Sequence, residues 1–143
     1  MRMRLTLSAV VCVFLCISWA CAMGGTGSPS YPDMMDCSTV VTEFEVNEAV
    51  VGDSVCVVLD ENPSTGYGWE YRAEPEGLLD LIETQSFEAE GSDPNLMGAP
   101  VTTVWKFSAV SEGEVTLTYV YRRPWETDVE PVETIEYFIR IGR

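Results

Sequence analysis

The chain has no histidine, so neither a serine–histidine nor a cysteine–histidine pair can be built from it. Its one lysine, Lys106, stands between Trp105 and Phe107, and strand alternation turns it to the opposite face, where it serves no serine–lysine dyad. No G-x-S-x-G, H-E-x-x-H, phosphate-loop or EF-hand spacing occurs, and acidic residues without ligand spacing read as solvated surface. Catalysis, metal and cofactor are therefore not expected. What the side chains offer instead is recognition. Asn62-Pro63-Ser64-Thr65-Gly66-Tyr67 and Arg123-Pro124-Trp125-Glu126 each join a proline, which fixes φ and extends the residue before it, to groups suited to a rigid turn. Trp125 and Arg123 are the residue types that dominate binding hot spots. Ser64 and Thr65 are expected to project into solvent, and Tyr67 to anchor the base of its loop.

Loops of this kind need strands to hold them. Seven short runs alternate apolar and polar residues, and no stretch sustains a helical period, which reads as all-β. The apolar positions are Val40, Thr42, Phe44 and Val46; Val55, Val57 and Leu59; Tyr67, Trp69 and Tyr71; Leu79 and Leu81. The last three runs supply Trp105, Phe107 and Ala109; Val115, Leu117, Tyr119 and Tyr121; Ile135, Tyr137, Ile139 and Ile141. Their opposite faces carry polar residues. Half-buried antiparallel strands of this number form an immunoglobulin-like antiparallel β-sandwich of about seven strands. If successive strands reverse, the second, fourth and sixth connections emerge at one end. Those connections are Asn62 to Tyr67, Gly91 to Pro100 and Arg123 to Pro131.

Arg2 and Arg4 precede an apolar stretch from Leu5 to Ala20, and small residues follow. Residues 1–22 thus read as a secretory signal, too short for the roughly 20 residues that span a bilayer. Ala20-Cys21-Ala22 fits both an A-x-A cleavage site and, less well, a lipoprotein junction with Cys21 acylated. Residues 23–36, with Gly24-Gly25-Thr26-Gly27-Ser28-Pro29-Ser30, read as a flexible tether. Residues 37–143 are long enough for one domain that buries about 65% of its unfolded surface. The product is exported, either secreted or held at the cell surface by lipid. Without its signal the chain has 6 basic residues against 23 acidic ones, a charge of −17, which excludes nucleic acid as a partner.

Cys37 and Cys56 are the cysteines left for a disulfide in an exported domain, where such a link is worth about 3 kcal/mol. A hairpin of Val40–Val46 with Val55–Leu59 would instead place Cys37 opposite a position near Ser64, about 25 Å along the strand from Cys56. On that register the bond is not expected unless the N-terminal segment folds back.

The two rigid loops, with Leu96-Met97-Gly98-Ala99-Pro100 and Val104-Trp105-Lys106-Phe107 between them, resemble chagasin-like inhibitors of papain-type cysteine peptidases. The similarity runs from about Val40 to the C-terminus, and the middle loop departs from the family's Gly-rich turn by Ala99-Pro100. The resemblance implies reversible, non-covalent inhibition by a monomer whose three loops enter the peptidase cleft. Asn62, Pro63, Ser64, Thr65 and Gly66 would lie over the catalytic cysteine, with Thr65 near the centre. Leu96, Met97, Gly98 and Ala99 would flank them on one side, and Arg123, Pro124 and Trp125 on the other. The competing reading is an immunoglobulin-like surface adhesion or carbohydrate-binding module, with Trp125 stacked on a sugar face.

Overall fold

The computed structural model describes residues 31, 35–88, 98–126 and 128–143. Its strands are β1 (Thr39–Val40), β2 (Val46–Val50), β3 (Ser54–Glu61), β4 (Gly68–Glu74), β5 (Leu79–Glu88), β6 (Val101–Ala109), β7 (Gly113–Arg122) and β8 (Glu133–Gly142). They form two four-stranded sheets, β1-β3-β6-β5 and β2-β8-β7-β4, an all-β, immunoglobulin-like sandwich. The core lies where the alternation places it. Val55, Val57 and Leu59 of one sheet meet Leu117, Tyr119, Ile135, Tyr137, Ile139 and Ile141 of the other, with Trp105 and Phe107 between them. Edge-to-face contacts of Trp105 with Tyr119 and of Phe107 with Tyr71, each 5.2 Å between centroids, tie the sheets together.

The first run departs from the expected pattern. Val40 to Val46 is not one strand and makes no hairpin with Val55–Leu59. β1 pairs parallel with β3, Val40 opposite Cys56, and the chain then crosses to the other sheet, where β2 pairs parallel with β8. Asn47 makes the crossing possible. Its side-chain amide donates to the carbonyls of Thr42 at 3.0 Å and Phe138 at 3.1 Å, and its Oδ1 accepts from the Thr42 amide at 2.8 Å. These bonds supply the polar partners that a chain leaving one sheet for another would otherwise lack. Phe44, at the bend, takes a positive φ of 63° and is 94% exposed. Alternation alone cannot separate a strand from a crossover of the same length.

That crossover also reverses the cysteine expectation. Cys37 precedes β1 and lies beside Cys56, with Cα atoms 5.9 Å apart and the sulfurs bonded. The N-terminal segment does fold back. It covers an outer face that is not polar throughout: Cys56 and Val104 are fully buried there, beneath Met35, with Tyr31, Val58 and Phe87 packed around them. Tyr31 and Met35 therefore belong to the packed domain, although they lie within the segment 23–36 read as a tether.

One core group sets a pH limit. The Tyr119 hydroxyl is buried without a hydrogen-bond partner among the described residues. Burial, followed by Tyr71 and Tyr137, raises its pKa far above the usual phenol range, while burial with Glu43 and Glu133 pushes Tyr137 up to about 12. Both folded-state values are raised, so stability is whole below the unfolded value of about pH 10 and is lost as pH climbs above it. With both phenols held neutral, the unfolding free energy from urea titrations should be flat to about pH 10 and then fall by up to about 2.7 kcal/mol per pH unit. Tyr119→Phe should roughly halve that slope and, by removing an unpaired hydroxyl, add about 1 kcal/mol at pH 7. A variant less stable than wild type at pH 7 would contradict this account.

Candidate functional site

The connections β3–β4, β5–β6 and β7–β8 leave the sandwich at the same end. Glu61 pairs with Val101 and Val101 with Glu88, so one rung of the first sheet carries the stems of two loops. In the second sheet, Gly68 pairs with Arg122 and Tyr121 with Glu133, which sets the third loop beside them. The opposite end is closed by turns bonded to each other, such as Gly52 N–H to the Ala109 carbonyl at 2.8 Å and Val110 N–H to the Leu78 carbonyl at 2.9 Å.

The β3–β4 loop holds one 3₁₀ turn, Pro63–Thr65, and its residues explain it. Asn62 is extended, as a residue before proline should be, and its Oδ1 accepts from the Ser64 amide at 3.2 Å and the Ser64 hydroxyl at 2.6 Å. Thr65 Oγ1 donates to the Asn62 carbonyl at 2.7 Å. Gly66 ends the turn in the left-handed region, φ 76°, which a residue with a Cβ enters only at a cost. Both hydroxyls expected to reach outward are thus turned back to hold the turn, although Pro63, Ser64 and Thr65 are themselves exposed. The loop is rigid because it satisfies its own polar groups.

The neighbouring loops close on it. Trp125 is 67% exposed, yet its indole edge lies directly over Gly66: a Cβ built there would stand 2.6 Å from Cη2. Gly98 approaches Ser64 as closely, its hypothetical Cβ 2.7 Å from Ser64 Oγ. Arg123 joins its own loop to the central Asn62–Tyr67 loop from within. Its Nε donates to the Thr65 carbonyl at 3.3 Å, its Nη1 pairs with Glu126 at 3.1 Å, and the guanidinium lies 4.4 Å above the Tyr67 ring. Arg123 is therefore engaged as a brace between loops, more than as a projecting contact. Tyr67 anchors the loop base as expected: it stacks on Tyr121 at 5.5 Å, and the Tyr121 hydroxyl accepts from the Asn62 amide at 3.2 Å. Arg122 is held by Glu70 at 2.6 Å.

The structure thus gathers Asn62 to Gly66, Gly98, and Arg123 to Trp125 into one wedge. Ala99 follows Gly98 and is half-buried; Leu96 and Met97 fall outside the described residues, as does Cys21. The tip made by Pro63, Ser64, Thr65, Pro124 and Trp125 is uncharged, on a chain whose formal charge is −15. A tip of this composition presents no ion that burial would have to desolvate.

The sequence model described as Chagasin family peptidase inhibitor I42 matches residues 48–139, a span that includes all three loops. The chain belongs to the chagasin family. It is an inhibitor of cysteine peptidases and not an enzyme. Among relatives of this chagasin-family chain, Amoebiasin-2 of Entamoeba histolytica is 30% identical over 89 residues, covering 62% of this chain and 71% of that protein. Amoebiasin-1 of the same organism is 32% identical over 74 residues, covering 52% and 69%. The crystal structure of the cysteine protease inhibitor EhICP2 from Entamoeba histolytica superposes with a TM-score of 0.60 at 26% identity, covering 73% of this chain and 95% of that one. The solution structure of Amebosin, TM-score 0.53 at 20% identity and coverage of 73% and 95%, shares the fold.

Proposed function

We propose that the wedge enters the active-site cleft of a papain-like cysteine peptidase, with Pro63 to Gly66 over the catalytic cysteine and the loops bearing Gly98 and Trp125 to either side. The observation that carries this reading is the mutual support of the loops: Trp125 seats on Gly66, Gly98 on Ser64, and Arg123 bonds Thr65. A preshaped, uncharged tip loses little entropy on binding, so more of its contact energy becomes affinity. It blocks the nucleophile without offering a peptide bond in attack geometry, which accounts for binding without cleavage. A sugar-binding platform would not require an indole pinned by its edge to a second loop.

Titration of papain with the exported chain tests the reading, and no inhibition at micromolar concentration would end it. Trp125→Ala should weaken inhibition by about 2 kcal/mol, roughly 30-fold, as the truncation of a large exposed anchor does. Substitution of Glu136, exposed on β8, should change it little. Equal losses would mean unfolding in place of a lost contact.

We propose that the chain is exported, either secreted or held at the cell surface through an acylated Cys21, as the signal-like residues 1–22 suggest. The mass of the mature N-terminal peptide separates the two: an unmodified peptide means free secretion, an acylated Cys21 a lipid anchor, and an intact segment of residues 1–22 would overturn export.

A further inference from the structure

The outer face of the β1-β3-β6-β5 sheet carries a feature that none of the three loops explains. β3 reads Val55-Cys56-Val57-Val58-Leu59, apolar without alternation, the pattern of a strand buried on both faces. Its outward residues are covered by the segment before β1. Met35, 4% exposed, sits on Cys56 and Val104, and Lys106 Nζ donates to the Met35 carbonyl at 2.6 Å. Ser54 Oγ donates to the Asp36 carbonyl at 2.8 Å, and the Cys37–Cys56 bond fixes the segment covalently. From that fixed point the strap runs along the sheet toward the wedge. It ends at Tyr31, whose ring stacks on Phe87 at 4.9 Å between centroids and whose hydroxyl bonds Glu88.

Glu88 is the last residue of β5, the stem from which the chain leaves for the middle loop, and it faces Val101 on the rung that also carries Glu61. β5 is an edge strand, so beyond β6 no further strand steadies its end. An edge strand that opens into a long connection is where a sheet frays first. Tyr31 supplies the missing support from outside.

We propose that this disulfide-locked strap is a positioning element of the inhibitor: Tyr31 clamps the β5 end of the middle loop and so holds that flank of the wedge ready for the peptidase. The inference rests on the inhibitory reading above. A stem clamped before the peptidase arrives need not be ordered on binding, and its effect should appear as slower dissociation. Tyr31 is a positioning residue and need not touch the target.

The test uses Tyr31→Ala and Tyr31→Phe in the exported chain, with two readouts. In the free protein, amide exchange at Ser86 to Glu88 and at Val101 to Thr103 should accelerate at least tenfold in Tyr31→Ala, with a smaller change in Tyr31→Phe and none in Trp125→Ala. Against papain, Tyr31→Ala should raise the inhibition constant about tenfold, mostly through a faster off-rate. That increase should vanish when residues 90–99 are replaced by a short Gly-Gly turn. Unchanged exchange at the stem, an unchanged inhibition constant, or a loss that persists with the shortened loop would each overturn the strap proposal. If wild type itself fails to inhibit, the inhibitory reading falls. The exchange data separate the two failures, because they are read without a peptidase.

Discussion

Gly66→Ala should weaken inhibition of a papain-like peptidase by about 3 kcal/mol, more than 100-fold, while lowering stability by only about 1 kcal/mol. The two figures differ because two separate costs meet at this residue. Alanine at φ 76° carries the backbone strain of any side chain in the left-handed region, and that strain is paid in the free protein. The new Cβ would also lie 2.6 Å from Trp125 Cη2, so something must move. The indole is 67% exposed and can swing outward without disturbing the core. Folding survives, but the anchor leaves the place where the cleft should receive it, and the turn it seats on loses its cover. Gly77→Ala is the matched control. Its φ of 83° imposes similar strain, nothing lies within 4 Å of its hypothetical Cβ, and it sits between β4 and β5 at the far end. Thermal melts should show comparable losses for the two variants, and only Gly66→Ala should lose inhibition. Equal inhibition by both would show that Trp125 need not rest on Gly66.

The contrast between these glycines marks how far the sequence can be read. Asn62-Pro63-Ser64-Thr65-Gly66 announced a rigid turn because each residue restricts its own backbone, and strand counting placed it with Trp125 at one end. The inward alternation of Trp105 and Phe107, and of Ile135 through Ile141, likewise foretold the core, since burial on one face needs only local periodicity. The fate of Val40 to Val46 was not legible. Whether an alternating run pairs or crosses between sheets depends on Asn47 bonding to Thr42 and Phe138, and Phe138 lies 91 residues away. Arg123 shows the same limit at the site. Its residue type suggested a hot spot, but only the fold brings Thr65, Tyr67 and Glu126 around its guanidinium. The strap did leave a signal, in the unbroken apolar run Val55 to Leu59. What it could not reveal was which segment covers the second face.

The strap's covalent point of attachment yields the last large effect: Cys37→Ala should lower unfolding free energy by about 3 kcal/mol, since the bond closes a loop with a sequence separation of 19 residues. This variant isolates the cross-link better than one at Cys56. Cys56 is fully buried, and shortening it would add a cavity cost, whereas Cys37 is half-buried and its removal leaves the Cys56 thiol packed against Met35 and Val104. For a domain of this size the loss should move the urea midpoint by about 2 M. Wild type measured in excess reductant should converge on the variant, because both then lack the same constraint in the unfolded chain. A loss below about 1 kcal/mol would mean that the bond does not constrain the protein in solution. The outcome bears on inhibition as well. Cysteine peptidases act through a reduced thiol, so they are assayed in reductants that can also open Cys37–Cys56. Inhibition measured after full reduction should then resemble that of Tyr31→Ala, with the wedge loops Asn62–Gly66 and Arg123–Trp125 intact and the middle flank loosened at its stem.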